Sequence, residues 1–328
     1  MIDACTAEGV LSMFQDANKV LEKIQKSLED YLETKRNGFP RFYFLSNDEL
    51  LEILSQTRDP RAVQPHLRKC FDAMAAADFE AGPPLEGQTA ASVQIVAMNS
   101  AEKEKVTFSK PVATAPKSVE FWMCDLEFKM RQSLLDDTIH SRQVYNDDDR
   151  EDCFFQYSAA AISTIDQEVW TGAATDSIAV ITLAENANGL VDFMDFSITQ
   201  INKMVGVVRK DLTNIQRSVM ANLIFIDVHA RDVTKRLIRE NVTSINDFAW
   251  ICQLRYYWVE GSIGDQHGVV VRKTNAMFYY GWEYVGVVPR LVITPLTDKC
   301  FVTLTGALNL LLGGAPAGPA GTGKTESV

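Results

Sequence analysis

The glycine-rich segment near the C-terminus places the tightest constraint on how this chain can fold. Residues 318–325 read Gly-Pro-Ala-Gly-Thr-Gly-Lys-Thr, which has the spacing G-x-x-x-x-G-K-T, and the apolar run at residues 308–312 comes shortly before them. A segment of this kind lies between a buried parallel strand and a helix. We therefore expect residues 308–312 to form that strand, although an ordinary turn rich in glycine and proline is the simpler alternative.

The residue types in this segment suit the binding of a triphosphate. Gly318, Gly321 and Gly323 lack a Cβ, so several backbone N–H groups can turn inward at once. The Lys324 ammonium can bridge two phosphates, and the Thr325 hydroxyl can bind the Mg²⁺ that accompanies them. The predicted binding segment comprises Gly318, Pro319, Ala320, Gly321, Thr322, Gly323, Lys324, Thr325 and Glu326.

The composition argues against several classes of protein. The chain has 328 residues, of which 46% are hydrophobic and 23% are charged, as in a soluble protein of two or three domains. A net charge of -11 argues against non-specific binding to nucleic acid. No apolar stretch approaches the roughly 20 residues that span a bilayer, and the N-terminus has no signal region. We therefore expect an intracellular protein without membrane contact.

The metal-binding and nucleophilic residue types show no catalytic pattern. The six cysteines and four histidines are scattered, without C-x-x-C or H-E-x-x-H spacing, so we expect reduced thiols and no zinc site. No G-x-S-x-G elbow supports nucleophilic hydrolysis. The acidic tract at residues 146–152 lacks the glycine turn and closing glutamate of a calcium loop, which favours a solvated loop.

Helical spacing dominates the first 140 residues. Apolar residues recur every three or four positions over residues 10–31, which predicts a long amphipathic helix that packs in a bundle or, alternatively, in a coiled coil. Ser46 and Glu49 form a capping box that opens a second helix. Another helix is predicted over residues 65–77, and a further one from residue 117 onward.

Two regions have the character of strands. Residues 93–98 and 105–108 predict a hairpin, and Gly82-Pro83-Pro84 before it predicts a loop. Residues 254–259 and 269–272 are β-branched or aromatic and should pair as antiparallel strands. Their mixture of basic and aromatic side chains could instead be a stacking platform for single-stranded nucleic acid, which strand alternation explains more simply.

The region between these strand pairs is predicted to be helical. Residues 153–254 contain almost no proline, and breaks between helices are expected at Gly172 and around residues 186–189.

Several segments together resemble the dynein heavy chain family, at the junction between its linker and its first AAA+ module. They are FPRFYFLSNDELL at 39–51, VQPHL at 63–67, IDVHARDV at 226–233, NDF at 246–248, QLRYYW at 253–258, PRLVITPLTD at 289–298 and GGAP at 313–316. Residues 42–67, with the core LSNDELLEILSQT at 45–57, resemble axonemal dyneins of the inner-arm type more than cytoplasmic ones. One departure is FFQYSAA at 154–160, where the family usually has a Trp-x-Gly-Gln type segment.

The resemblance implies a mainly α fold with two regions. Residues 1–275 would be a helical-bundle linker, elongated and with small β-hairpin inserts, one of them near residues 91–108. Residues 276–328 would be the truncated start of an α/β phosphate-loop AAA+ domain that binds ATP and Mg²⁺. The parent would be an ATP-driven microtubule motor in which the linker acts as a lever.

The resemblance also implies partners and a location. The partners of the parent would be the rest of the AAA+ ring, microtubules, and dynein intermediate and light chains. The location would be the cytoplasm and cytoskeleton, in the axoneme of a cilium or flagellum.

The resemblance further places the base of the nucleotide. Leu291, Val292 and Ile293 would line the adenine pocket, although the core of a β-strand accounts for them nearly as well. Residues 295–308 would form a helix, capped by Thr297 or Asp298.

No residue of this chain is assigned a catalytic role. The acidic Walker B strand end, the sensors and the arginine finger cannot be assigned in its sequence, so we expect no ATP hydrolysis by this chain alone. One alternative is a non-enzymatic linker or interaction module that binds nucleotide weakly or not at all. Another is a different phosphate-loop enzyme, such as a small-molecule kinase.

Overall fold

Helices make up most of the structure, as the sequence predicted. The computed structural model describes residues 9–56, 59–84, 91–145, 150–263, 266–287 and 289–327. The chain divides into two compact units. The first is formed from within residues 1–98 and 110–129, and the second from within residues 99–109 and 130–328.

The long amphipathic helix predicted near the N-terminus is present. Helix α1 spans Val10–Gly38, and its last turn carries basic residues that suit the negative end of the helix dipole. Much of its apolar stripe is exposed, since Phe14, Leu21 and Ile24 keep 57 to 61% of their surface accessible. The packing of this stripe, in a bundle or a coiled coil, therefore stays a prediction.

The predicted capping box opens helix α2. After a 3-10 helix at Pro40–Phe44, the Ser46 hydroxyl accepts a hydrogen bond from the Glu49 N–H at 3.3 Å. The Glu49 carboxylate accepts one from the Ser46 N–H at 3.0 Å. Helix α2 then covers Asn47–Ser55, and the box supplies partners that a first helical turn lacks.

The helix predicted over residues 65–77 is wrong. A 3-10 helix covers Pro60–His66, α3 covers only Leu67–Cys70, and strand β1 covers Ala76–Pro84. The Gln64 side chain explains the change, because its amide group donates to the Ala77 carbonyl and accepts from the Ala77 N–H, both at 2.8 Å. The chain is thus already extended and paired at this position.

The hairpin is confirmed, and a third strand joins it. Strands β2 at Ala91–Asn99 and β3 at Lys105–Ala113 lie in a sheet of order β1-β2-β3. The loop predicted at residues 82–84 is wrong, because these residues end β1. As β1 lies at the edge of the sheet, prolines without an N–H are tolerated there. Helix α4 follows at Val119–Val144, as predicted.

The second unit contains the predicted helical block. Helix α5 spans Ala159–Thr182, α6 spans Gly189–Val208, α7 spans Asn214–Arg239, and the short α8 spans Phe248–Ile251. Helices α5, α6 and α7 pack on one another. The break predicted before residue 189 is confirmed.

The break predicted at Gly172 is wrong. This glycine lies inside α5, where a glycine costs about 1 kcal/mol relative to alanine. Packing of α5 against α6 and α7 is enough to offset a cost of that size.

The acidic tract is not a wholly solvated loop. Residues 146–149 lie outside the described residues, but Arg150–Asp152 forms a 3-10 helix. Arg150 is buried, with 8% of its surface accessible. The prediction failed there because carboxylates on two other helices pair with this guanidinium, which the tract itself does not reveal.

The second strand pair is also confirmed, again with an added strand. Strands β4 at Arg255–Ile263, β5 at Gln266–Lys273 and β6 at Ala276–Tyr279 form an antiparallel sheet of order β4-β5-β6. Gly268 has a φ of +91°, and a Cβ there would lie 2.8 Å from the Trp282 ring, so only glycine fits.

The basic and aromatic side chains of this sheet are used in packing. Arg255 is buried against the rings of Trp250 and Tyr257, and Arg272 lies 5.3 Å from the Tyr257 ring centre. These contacts support the simpler interpretation, strand alternation.

The helix after the predicted adenine segment is confirmed, with a different cap. Helix α9 spans Pro295–Asn309, and Thr294 is its N-cap rather than Thr297 or Asp298. Thr297 instead completes a capping box, since its N–H donates to the Thr294 hydroxyl at 3.3 Å. The prediction placed the cap too late because Pro295 is well suited to the first helical position.

The strand predicted over residues 308–312 is wrong. Leu308 lies in the last turn of α9, and the residues after Asn309 form a turn in which Leu311 is 95% exposed. A parallel strand is stable only when hydrogen-bonded to neighbouring strands. Within the described residues the strands form two antiparallel sheets, and neither includes residues 308–312.

No helix in the described residues is long and apolar enough to cross a membrane. The same residues contain no cluster of three or more histidine, cysteine or acidic side chains that could hold a metal ion. Five cysteines are free thiols, and Cys5 lies outside the described residues.

Candidate nucleotide-binding site

The predicted phosphate loop has the backbone that its glycines allow. Gly321 and Gly323 have φ values of +77° and +74°, in the left-handed region that favours glycine. A Cβ at either position would meet nothing within 4 Å, so conformation and not space requires glycine there. At Gly318 the limit is space, because a Cβ would lie 3.2 Å from the Thr322 hydroxyl.

Lys324 folds back over this loop. Its ammonium donates to the Pro319 carbonyl at 2.5 Å and lies 3.4 Å from the Thr322 hydroxyl, which itself donates to Pro319 at 2.8 Å. Both partners of the ammonium are uncharged, so its positive charge can still attract an anion that enters the loop.

The residues after Lys324 form the first turn of a helix. Helix α10 spans Lys324–Ser327, and the Ser327 N–H donates to the Gly323 carbonyl at 3.1 Å. Thr325 is exposed in this turn, where its hydroxyl can reach a bound ion. Glu326 belongs to the same turn, and the neighbouring loop residues Pro319 and Ala320 are exposed.

The three predicted base-binding residues line a cavity of about 530 Å³. Leu291 and Val292 keep 58% and 66% of their surface accessible, and Ile293 is partly buried. The alternative of a β-strand core is wrong, since residues 289–294 form no strand.

Helices α5 and α7 supply further lining residues of this cavity. The lining that sequence reasoning missed includes Trp170, Phe225, His229, Gln253 and Arg290. Burial lowers the pKa of His229 below its ordinary value of 6.5, so the imidazole is neutral at neutral pH. His229 lies in the segment IDVHARDV, which the sequence analysis used only for the family resemblance.

The cavity adjoins the phosphate loop. Ser327, in the turn that Lys324 begins, lines the same cavity as Leu291, Val292 and Ile293. Ser327 thus places the turn that follows the predicted loop beside the predicted base-binding residues, although these two parts of the chain are far apart in the sequence.

The residues present fit a nucleoside triphosphate. A cavity of about 530 Å³ with mostly apolar walls is of the size that holds a small organic ligand. The left-handed glycines and the folded-over lysine suit the phosphates. Mg²⁺ would be held chiefly through phosphate oxygens, with Thr325 as its protein ligand.

Comparison with known proteins gives matches at both ends of the chain. Residues 1–141 match the family model described as "Dynein heavy chain, N-terminal region 2". Residues 280–328 match the model described as "Hydrolytic ATP binding site of dynein motor region".

Similar full-length relatives are much longer than this chain. Dynein axonemal heavy chain 1 of Homo sapiens is 43% identical over 327 residues, which is 100% of this chain and 7% of the relative. Dynein axonemal heavy chain 3 of Homo sapiens is 45% identical over 95% of this chain and 7% of the relative. The Dynein-1-beta heavy chain, flagellar inner arm I1 complex, of Chlamydomonas reinhardtii is 41% identical over 100% of this chain and 7% of its own length. The chain therefore spans less than a tenth of these relatives.

Proposed function

This chain belongs to the dynein heavy chain family, and we propose that residues 318–326 bind the phosphates of ATP beside a cavity that receives the base. The observation that carries the proposal is that Ser327 and the segment Leu291 to Ile293 line one cavity. A single ligand could therefore occupy both the loop and the cavity.

Each part of the site has a distinct role in this proposal. The backbone at Gly321 and Gly323 turns N–H groups toward the phosphates, and the Lys324 ammonium leaves Pro319 to pair with them. Thr325 binds Mg²⁺. Leu291, Val292 and Ile293 contact the adenine through its flat apolar faces.

We propose that the longer protein is an ATP-driven microtubule motor of the axoneme. Residues 1–275 would be its linker-type region and residues 276–328 the start of its first AAA+ module, a division that the matches at 1–141 and 280–328 support. The names of the relatives, which mention axonemal and flagellar inner-arm dyneins, support the location. The proposed partners are the rest of the ring, microtubules, and intermediate and light chains.

Membership of this family removes the small-molecule kinase alternative. We propose that this chain alone turns over no ATP, because the acidic strand end and arginine that a phosphate-loop enzyme needs are not assigned in it. ATP turnover by the purified chain, above the buffer rate and abolished by Lys324→Ala, would contradict this proposal.

Equilibrium binding tests the proposed site. We expect weak binding of ATP and of inorganic tripolyphosphate, measured by ligand-observed NMR, and at least tenfold weaker binding of both in Lys324→Ala. Lys299→Met is the matched control, because Lys299 is exposed on α9 and outside the site. Failure of the unaltered chain to bind either ligand, or equal binding by Lys324→Ala, would overturn the proposed site.

A further inference from the structure

A lysine occupies an inward-facing position at the end of β5. In the run Val-Val-Val-Arg-Lys, Arg272 is exposed and Lys273 is buried, with only 2% of its surface accessible. Lysine is almost never fully buried unless its charge has partners, because removing an ammonium from water is costly. The partners of Lys273 should therefore reveal what this position does.

Lys273 joins three segments of the second unit. Its ammonium donates to Asp298 Oδ1 at 2.6 Å and to the Cys252 carbonyl at 2.8 Å. Cys252 follows helix α8, and Asp298 lies in the first turn of α9. The neighbouring Thr274 N–H also donates to the Ile251 carbonyl, at 2.7 Å. The end of β5 is thus tied to α8 on one side and to α9 on the other.

Asp298 connects Lys273 to the part of α9 that lies next to the cavity. Its N–H donates to the carbonyl of the N-cap Thr294 at 2.9 Å, so the residue that pairs with Lys273 is also bonded to the cap. Thr297, in the same turn, lines the cavity. The base-binding segment Leu291 to Ile293 comes directly before the cap, so the Asp298 anchor holds the end of that segment.

The other end of the segment has its own anchor. The Arg290 N–H donates to Asn222 of α7 at 3.3 Å, and the Arg290 guanidinium donates to Gln167 of α5 at 3.3 Å. Since residues 289–294 belong to no strand, no sheet ladder fixes their path. The position of Leu291 to Ile293 therefore depends on contacts at its two ends.

The geometry points to Lys273 as a positioning residue for the base of the bound nucleotide. Through Asp298 it holds α9, and with it the cavity wall formed by Leu291, Val292 and Ile293, without touching the nucleotide. This inference rests on the proposed function. Lys273, in the predicted linker-type region, would then help to position Leu291, Val292 and Ile293 in the predicted nucleotide-binding module.

Two variants test this role in the full chain. Lys273→Met removes the charge and keeps most of the side-chain volume. The double variant Lys273→Met with Asp298→Asn also avoids leaving the partly buried Asp298 carboxylate without its counter-charge. We expect both to bind ATP about tenfold more weakly, which corresponds to 1.4 kcal/mol. Inorganic tripolyphosphate contacts only the phosphate loop, so its affinity should change by less than twofold. Lys299→Met should change neither affinity.

A loss of ATP affinity without a loss of tripolyphosphate affinity distinguishes a role in positioning the base from a general loss of folded structure. Far-ultraviolet circular dichroism and the midpoint of thermal unfolding check that the double variant is folded. Unchanged ATP affinity in the folded double variant would overturn the inference, and so would an equal loss of ATP and tripolyphosphate affinity. If the unaltered chain binds neither ligand, the proposed function itself fails.

Discussion

The guanidinium of Arg150 and the carboxylate of Asp166 form an ion pair in the interior of the second unit. Their Nη1 and Oδ1 atoms are 2.8 Å apart, and the two side chains are 8% and 3% exposed. Arg150 also donates to Asp227 Oδ2 at 2.6 Å, and the Tyr145 hydroxyl donates to Asp166 at 2.6 Å. One cation thus pairs with a buried carboxylate on helix α5 and with a partly buried one on helix α7.

Replacing this arginine should be strongly destabilising. Arg150→Met leaves the buried Asp166 and the partly buried Asp227 without their counter-charge, which we expect to cost about 3 to 5 kcal/mol of unfolding free energy. Urea denaturation at about pH 8, above the raised pKa of Asp166, measures the loss. Lys210→Met is the control, because the pair of Lys210 with Glu151 is exposed and should be worth less than about 1 kcal/mol. Similar losses in the two variants would contradict the importance of burial.

The same cluster should make stability depend on pH. Burial, and next the charge of Asp227, raise the pKa of Asp166 above its ordinary value of 3.8. Because the folded state keeps this proton to a higher pH than the unfolded state, stability from this group falls as pH rises from 3.8 through the raised pKa.

Asp166→Asn should remove that contribution. We expect the unfolding free energy of this variant to fall less between about pH 4 and pH 8 than that of the unaltered chain, measured by urea denaturation across the range. Asp176→Asn, exposed on the same helix α5, should keep the original slope. Identical slopes in all three proteins would show that Asp166 does not titrate in this range.

Glu104 joins a β-turn to the start of a helix. One of its carboxylate oxygens accepts from the Ala159 N–H at 2.7 Å, and the other accepts from the Tyr284 hydroxyl at 2.6 Å. In Glu104→Gln the amide nitrogen cannot accept, so one buried donor loses its partner at a cost of about 1 to 3 kcal/mol. Thermal or urea unfolding should detect this loss, whereas Glu102→Gln, exposed in the same turn, should leave stability unchanged.

Replacement by alanine should weaken ATP binding at Gly323 and increase stability at Gly306. Gly323 has a φ of +74°, where a side chain costs about 1 to 2 kcal/mol, so Gly323→Ala should weaken ATP binding roughly fivefold or more. Gly306 lies within helix α9, and a Cβ there meets nothing within 4 Å, so Gly306→Ala should stabilise the chain by about 0.4 to 1 kcal/mol. Binding by NMR and thermal unfolding measure the two effects. Unimpaired ATP binding in Gly323→Ala would mean that the loop does not need its left-handed backbone.

Several elements were predictable because their signals are local. The spacing of apolar residues identified α1 and α4, and Ser46 with Glu49 identified the start of α2. Alternation along residues 254–259 indicated the pairing of β4 with β5. In each case the pattern of apolar residues or of capping residues lies within a short stretch of the chain, so it can be recognised in the sequence.

The candidate site was only half predictable. The spacing of the phosphate loop located Gly321, Gly323 and Lys324, because each residue type has a specific role in such a loop. The part of the cavity lining that Phe225 and His229 form was missed. These residues lie on α7, which ends at Arg239, and the sequence does not reveal that a segment so far from Pro289 lies next to it in the fold.

The sequence by itself determined that α1, α2 and α4 are helices, where the glycine-rich loop lies, and which family the chain belongs to. Only the tertiary structure decided that β1 is a strand, that residues 308–312 are not, and that Arg150 and Lys273 are buried. The physical reason is the same in all four cases. A strand takes its hydrogen bonds, and a buried charge takes its counter-ion, from a segment that lies elsewhere in the chain.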